Sequence, residues 1–235
     1  MEKHWLSRTE LVIGKEGIEK LKNSKVMILG VGGVGSFATE ALTRVGIGTI
    51  TIIDNDTVDI TNINRQLHAT TQTVGKSKVE LMKERMLTIN PNCNVIAKEV
   101  FIKPENLEEL IPEDIDYIVD AIDNVTAKIA LAVYCDKKGI NLISSMGTGN
   151  KLDPSQFKVS DIYKTRVCPL AKIMRSELKK RGVKKLKVVY SEEQPKKIPS
   201  VNGERPAPGS LSFVPPVSGM IMASQVVQEL VKEFI

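Results

Sequence analysis

Six consecutive residues constrain this chain more than any others: Gly30-Val31-Gly32-Gly33-Val34-Gly35. The segment before them, residues 25–29 (Lys-Val-Met-Ile-Leu), is short, apolar and partly β-branched, hence a buried strand. Residues 36–45 after them read as a helix. A strand that enters a Gly-x-Gly-x-x-Gly turn and leaves as a helix holds an anion well. Gly30 permits the tight turn, Gly32 lets backbone approach phosphate, and Gly35 lets the helix pack on the strand. The free N–H groups and the positive helix end then face the ligand. Asp54 ends the next apolar run, residues 49–53, where a carboxylate can accept from ribose hydroxyls. This pattern alone selects a nucleotide but does not choose between NAD and ATP.

The rest of the chain alternates in the same way. Residues 74–89 have helical periodicity, and 94–98 read as a third strand. Residues 117–119 give a fourth strand followed by a helix through Lys137, and 141–144 give a fifth. The fold class that follows is α/β: a Rossmann-like, mostly parallel sheet with helices on both faces. Beyond Gly149 the rhythm changes to an α+β elaboration. Strands at 156–159 and 186–190 flank a basic helix at 169–181, and a last helix spans 217–234. Residues 191–210, rich in Pro, Gly and charge, read as a mobile loop or lid. The organisation expected is one domain over 1–235, with a nucleotide-binding part at 1–149 and the elaboration at 150–235.

Two polar clusters favour ATP. After Asp54 comes Asn55-Asp56-Thr57-Val58-Asp59-Ile60-Thr61-Asn62-Ile63-Asn64-Arg65-Gln66. A dehydrogenase needs no arginine here, whereas cleavage between α- and β-phosphates needs fixed positive charge where negative charge accumulates. Arg65 offers a planar fork and Lys78, on the following helix, a point charge. The second cluster, Asp120-Ala121-Ile122-Asp123-Asn124, ends the fourth strand, the edge where open parallel sheets bind ligands. A carboxylate there can hold Mg²⁺ against phosphates, and Asp123 equally suits a helix N-cap.

The net charge of +5 is concentrated between 172 and 187, in Lys172, Arg175, Lys179, Lys180, Arg181, Lys184, Lys185 and Lys187. Such a patch fits a phosphate-bearing partner, and it fits a solvated helix face as well. Cys93, Cys135 and Cys168 lie far apart, which excludes a disulfide framework and any Cys-x-x-Cys zinc pair. Cys93 and Cys135 read as buried thiols; Cys168, before Pro169 at the start of a basic helix, is a candidate reactive thiol with no base supplied beside it. No apolar run reaches about 18 residues and the charged N-terminus is no secretory signal, so the expectation is no membrane span and cytoplasmic residence.

Taken together, Gly30-x-Gly32-Gly33-x-Gly35, Asp54-x-Asp56, Asn62-x-Asn64-Arg65-Gln66, Lys78 and Asp123-Asn124 resemble the ubiquitin-activating-enzyme-like superfamily, over residues 8–146. The resemblance implies a ThiF-type adenylating domain with ATP and Mg²⁺ as cofactors. Gly33 and Asp54 would contact the nucleotide, Asn62, Arg65 and Lys78 the phosphates, and Asp123 the Mg²⁺. Gly30, Gly32, Gly35, Asp56, Asn64, Gln66 and Asn124 complete the matched set. Arg8, in Arg8-Thr9-Glu10-Leu11-Val12-x-Gly14, is similar to the family's arginine that reaches the neighbouring subunit's ATP, implying a homodimer with shared sites. Read without the resemblance, Arg8 is an exposed terminal charge.

Within the superfamily the chain is most similar to the tRNA threonylcarbamoyladenosine dehydratase branch. The residues carrying this are Asn64-Arg65-Gln66-Leu67-His68-Ala69, Val74-Gly75-x-x-Lys78, Ile89-Asn90-Pro91, Asp153-Pro154-x-Gln156, Lys164-Thr165, Pro169-Leu170-Ala171, Val189-Tyr190-Ser191-x-Glu193 and Val217-Ser218-Gly219. That branch adenylates the carboxylate of a threonylcarbamoyl group beside the tRNA anticodon and cyclises it, releasing AMP and pyrophosphate. The implied partners are tRNA, guided by the basic stretch, a second subunit, and a sulfur-transfer protein. The alternative is an adenylyltransferase for a ubiquitin-like sulfur carrier. Its usual zinc cysteines are missing here. So is the cysteine some dehydratases carry before the last helix, where this chain has Phe213-Val214-Pro215-Pro216. His68 reads as a structural histidine.

Overall fold

The computed structural model describes residues 3–199 and 207–235, so residues 200–206 of the expected 191–210 loop lie outside the described residues. The first helix, α1 (Ser7–Lys22), has no counterpart in the sequence expectations. It is bent at Gly14, whose φ of 72° and ψ of 175° are non-helical, and it still buries Ile13, Ile18 and Leu21. Strand β1 (Lys25–Leu29) runs into the glycine turn and α2 (Gly35–Val45), followed by β2 (Thr49–Ile53).

Helix α3 (Lys78–Ile89) begins four residues later than its periodicity suggested. Residues 74–77 form a turn in which Gly75 takes a φ of 83°, a conformation an α-helix excludes. Then come β3 (Asn94–Lys98), the short α4 (Leu107–Leu110), β4 (Tyr117–Asp120), α5 (Val125–Lys138) and β5 (Leu142–Ser145). The C-terminal part contributes β6 (Phe157–Asp161), α6 (Pro169–Lys180), β7 (Lys187–Ser191) and α7 (Val214–Leu230). Helix α7 starts earlier than expected because Pro215 and Pro216 sit in its first turn, where a missing N–H breaks no helical bond.

The strands join one sheet in the order β3-β2-β1-β4-β5-β7-β6. Every neighbouring pair is parallel except β6 with β7. Strand direction therefore reproduces the expected mostly parallel sheet, and β7 docks directly on β5. Side chains alternate across the sheet. Val26 and Ile28 of β1 join a core with α1, α2, α3 and α7, while Met27 and Leu29 join the opposite core with α4, α5 and α6. With both faces covered, the carboxyl ends of the strands are the remaining open edge, and the loops that leave them build the site. Among the described residues no helix is long and apolar enough to cross a membrane.

Candidate active site

Strand β1 ends at the glycine turn, and the turn is held from both sides. Gly30 has a φ of 87°, and a Cβ there would stand 2.6 Å from Ala121 O. A Cβ on Gly35 would lie 1.8 Å from Gly30 O, so α2 can start this close to β1 only without a side chain. Gly35 thus acts in packing and does not line the cleft. Asp54, expected to meet ribose, first ties the turn in place. Its Oδ2 accepts Val31 N–H at 2.7 Å and its Oδ1 accepts Asp56 N–H at 2.9 Å. Burial pushes its carboxyl up from the usual range, against the opposing pull of those two N–H groups and Lys78. Each oxygen keeps a lone pair for a ligand.

Above the turn lies a cleft of about 650 Å³. It is lined by Gly30, Gly32, Gly33, Asp54, Asp56, Asn62, Arg65, Gln66, Lys78, Asp123 and Asn124, so eleven of the fourteen anticipated residues meet in one place. The exceptions are Gly35, Asn64 and Arg8. Four helices begin at its wall: α2 after Val34, α3 at Lys78, α5 after Asn124, and α7 beside Pro215. Their positive ends favour an anion.

The charged side chains arrive through local geometry. Asp59 and Asn62 close a reciprocal capping box that turns residues 60–62 into a short 3₁₀ coil. That coil presents Arg65, whose guanidinium Nη1 donates to Thr61 O and to Asn64 Oδ1, both at 2.9 Å. Asn64 acts behind the cleft: it holds Arg65, and its Nδ2 donates to Ser210 O at 2.9 Å. Lys78 is buried, and its Nζ donates to Asp56 Oδ2 at 2.7 Å. Asn124, not Asp123, caps α5, its Oδ1 accepting Ala127 N–H at 3.0 Å. The N-cap reading of Asp123 is thereby corrected. Asp123 is exposed at the cleft and makes no ion pair with a described residue.

The donor set fits a magnesium ion delivered with phosphates. Among the described residues no group of three or more His, Cys, Asp or Glu side chains is placed to hold a metal alone. One free carboxylate facing a phosphate site is what Mg²⁺ uses, since it takes one or two protein carboxylates plus phosphate oxygens. Among the described residues the cleft holds two cations, Arg65 and Lys78, and three carboxylates, Asp54, Asp56 and Asp123. A divalent ion arriving with the nucleotide would ease repulsion between those carboxylates and the phosphates.

Parts of the site were not assigned from the sequence, and the 191–210 segment was read there only as a loop or lid. Phe101 and Ile102 form one wall, Thr148 and Gly149 another, and residues 207–210 a third. The last arrives from far along the chain and is clasped at Asn150, which exchanges two bonds with Gly209 at 2.7 and 2.6 Å. Outside the cleft, Arg8 is exposed on α1. His68 is buried with neither ring nitrogen bonded to a described residue, and burial, then Lys78, lower its pKa to about 4. Burial pushes the Cys93 thiol up to about 11 and Cys135 to about 12, and Cys168 is buried as well. Along α6, Arg175 bonds Thr165, while Lys180 and Arg181 pair with Glu177. Lys172, Lys179, Lys184 and Lys185 are exposed and pair with no described acid.

A glycine turn, a cation pair and a free acid converging at the carboxyl edge of a parallel sheet define a nucleotide-phosphate site of the adenylate-forming type. The ThiF family model matches residues 6–233, and the chain belongs to the ThiF family. It is 49% identical to the tRNA threonylcarbamoyladenosine dehydratase of Bacillus subtilis (strain 168), over 98% of this chain and 96% of that protein. It is 42% identical to the Escherichia coli (strain K12) protein of the same name, over 73% of this chain and 64% of that one. The solved structure of the E. coli dehydratase TcdA in complex with ATP superposes with a TM-score of 0.89 and 35% identity. That superposition covers 97% of this chain and 94% of that one.

Proposed function

We propose that this chain is an ATP-dependent tRNA threonylcarbamoyladenosine dehydratase. The observation that carries the reading is the meeting of Arg65, Lys78 and Asp123 over the glycine turn in one cleft. The near full-length identity to the B. subtilis dehydratase and the likeness to the ATP complex of TcdA support it. In the first step a carboxylate oxygen of the threonylcarbamoyl group attacks the α-phosphorus, and the bond to pyrophosphate breaks. In the second, a nucleophile within the same modification attacks the acyl carbon and AMP leaves. The oxygen lost from the tRNA departs on AMP, so the product is lighter by one water.

The turn N–H groups and the start of α2 orient the phosphates, and Asp54 keeps the turn in shape. Arg65 and Lys78 stabilise the charge that builds on the α-phosphate and the departing pyrophosphate. Asp123, exposed at the cleft, would hold Mg²⁺. That ion would neutralise phosphate charge and orient the leaving group. Four exposed lysines that pair with no described acid, Lys172, Lys179, Lys184 and Lys185, offer positive charge to tRNA backbone.

An apolar groove supports the homodimer reading. Val12 and Ile13 of α1, Ala41 and Val45 of α2, and Met220, Ala223 and Val227 of α7 line an apolar groove of about 450 Å³. Leu11 and Val12 stand 71% and 77% exposed beside it. Burying that surface in a homodimer would carry α1, and Arg8 with it, toward a partner. The test of the whole reading is mass spectrometry of threonylcarbamoyl-modified tRNA incubated with the protein and ATP. AMP together with a product one water lighter is expected. Unchanged tRNA mass with ATP intact would sink the assignment.

A further inference from the structure

Beneath the mouth of the cleft lies a charge pair that the chemistry above does not use. Lys128, in the first turns of α5, and Asp120, at the end of β4, are both 0% exposed. Lys128 Nζ donates to Asp120 Oδ2 at 2.7 Å and to Ser144 Oγ at 3.1 Å. Ser144 Oγ donates to that same carboxylate oxygen at 2.5 Å. Asp120 Oδ1 accepts Ile122 N–H at 3.1 Å. Removing two charges from water costs several kcal/mol each, and apolar residues of the same volume often serve stability as well or better. Stability alone therefore does not account for a salt bridge at this position.

What the pair encloses does. Residues 121–124 carry Asp123 and span the gap between the two partners. One end is fixed where Asp120 Oδ1 takes Ile122 N–H. The other is fixed where Asn124 caps α5 and its carbonyl accepts Lys128 N–H at 3.0 Å. Lys128 Nζ closes the ring by reaching back to Asp120. The loop also abuts the glycine turn through Ala121, at the close approach to Gly30. We propose that Lys128 is a positioning residue: through Asp120 and Ser144 it fixes the 121–124 loop so that Asp123 meets the metal on the nucleotide. This rests on the reading of Asp123 given above.

The test uses the full chain with three variants: Asp120→Asn/Lys128→Met, which removes both charges at similar volume, Ser144→Ala, and Asp123→Ala. Thermal melting and ATP affinity are measured with and without Mg²⁺. The double variant is expected to melt near wild type and bind metal-free ATP normally. It should lose roughly tenfold or more of the strengthening that Mg²⁺ gives, the loss typical when a partner behind a metal ligand is removed. Ser144→Ala should lose severalfold in the same direction, and it decides the matter alone if the double variant does not fold. Wild-type Mg²⁺ strengthening in the folded Lys128 or Ser144 variants, with Asp123→Ala impaired, overturns this inference only. Full strengthening in Asp123→Ala overturns the Asp123 reading and the inference with it.

Discussion

Lys78 Nζ sits 2.7 Å from Asp56 Oδ2, with the lysine side chain 6% exposed and the aspartate 58%. The ammonium proposed to meet the phosphates is thus already engaged by a carboxylate at the cleft surface. On that proposal Asp56 and a nucleotide compete for Lys78. Asp56→Asn is expected to tighten metal-free ATP binding severalfold and to lower the stability of the nucleotide-free protein by about 1 kcal/mol. Adding ATP should restore the melting temperature. Lys78→Met should cost about a hundredfold in kcat/KM, as loss of one transition-state donor does. Calorimetric titration with ATP in EDTA checks the first expectation; weaker binding by Asp56→Asn would refute the competition.

Gly32 and Gly35 share one motif and separate cleanly in their roles. A Cβ on Gly32 would meet only Gln66 Nε2 at 3.8 Å, whereas one on Gly35 would strike Gly30 O at 1.8 Å. Gly32→Ala should leave the melting temperature of the nucleotide-free protein unchanged and weaken ATP at least tenfold, because the new methyl stands where phosphate approaches. Gly35→Ala should fail to accumulate as folded protein. A Gly32→Ala variant with wild-type ATP affinity would show that the phosphates do not approach this N–H run.

Much of this was legible in the sequence, and the gaps have physical causes. The ranges of β1, β2 and β3 coincide with their expectations because each is a short β-rich run bounded by turn residues. Helix α1 was not foreseen: Gly14 and Gly17 interrupt its pattern, and its stability comes from packing Ile13, Ile18 and Leu21, not from propensity. Clusters near the glycine turn in sequence were found because loops leaving adjacent parallel strands end at one edge. The wall at 207–210 was foreseen only as part of a loop or lid over 191–210; among the described residues Asn64 and Asn150 hydrogen-bond it in place, and nothing local signals such a contact. Asn64, matched to the ligand by its motif, instead bonds Arg65 and Ser210 here, because a motif fixes a residue's position and not which way its side chain turns. The pairing of Lys128 with Asp120 stayed hidden for a similar reason: a lysine in a helix reads as surface until its environment is seen.

If Arg8 reaches a neighbour's nucleotide, damage to two different residues should complement. Arg8→Ala and Lys78→Met, each alone, leave every site of a homodimer broken. Mixed and reassembled at equal amounts, they form heterodimers in which one of two sites is whole. Random pairing predicts recovery of about a quarter of wild-type turnover. Turnover measured against mixing ratio, with association state followed by sedimentation, decides the matter. No recovery from a mixture that sediments as dimers would place Arg8 in its own subunit's site, and full turnover by Arg8→Ala alone would place it outside any site.

The buried His68 sets an acid limit on stability that one substitution should lift. Its ring, 6% exposed, bonds to no described residue through either nitrogen. Burial, with the Lys78 ammonium adding to it, lowers its pKa from 6.5 to about 4. A folded pKa below the unfolded one means that the unfolded chain binds the proton first as pH falls. The neutral ring is therefore harmless above about pH 6.5, and stability drains away between there and pH 4. The loss is about 2 kcal/mol by pH 5 and on the order of 3 kcal/mol by pH 4. His68→Phe removes both the titration and the unbonded nitrogens. Urea unfolding at pH 7 and pH 5 should show a smaller drop for the variant than for wild type, by about 2 kcal/mol. Carboxylates that also titrate in acid cancel in this comparison. Glu40 is one, its carboxyl pushed up by burial but held below the usual range by Arg85 and Arg44. An equal drop in both proteins would mean that the ring takes its proton in the fold as readily as in the unfolded chain, and would refute the lowered pKa.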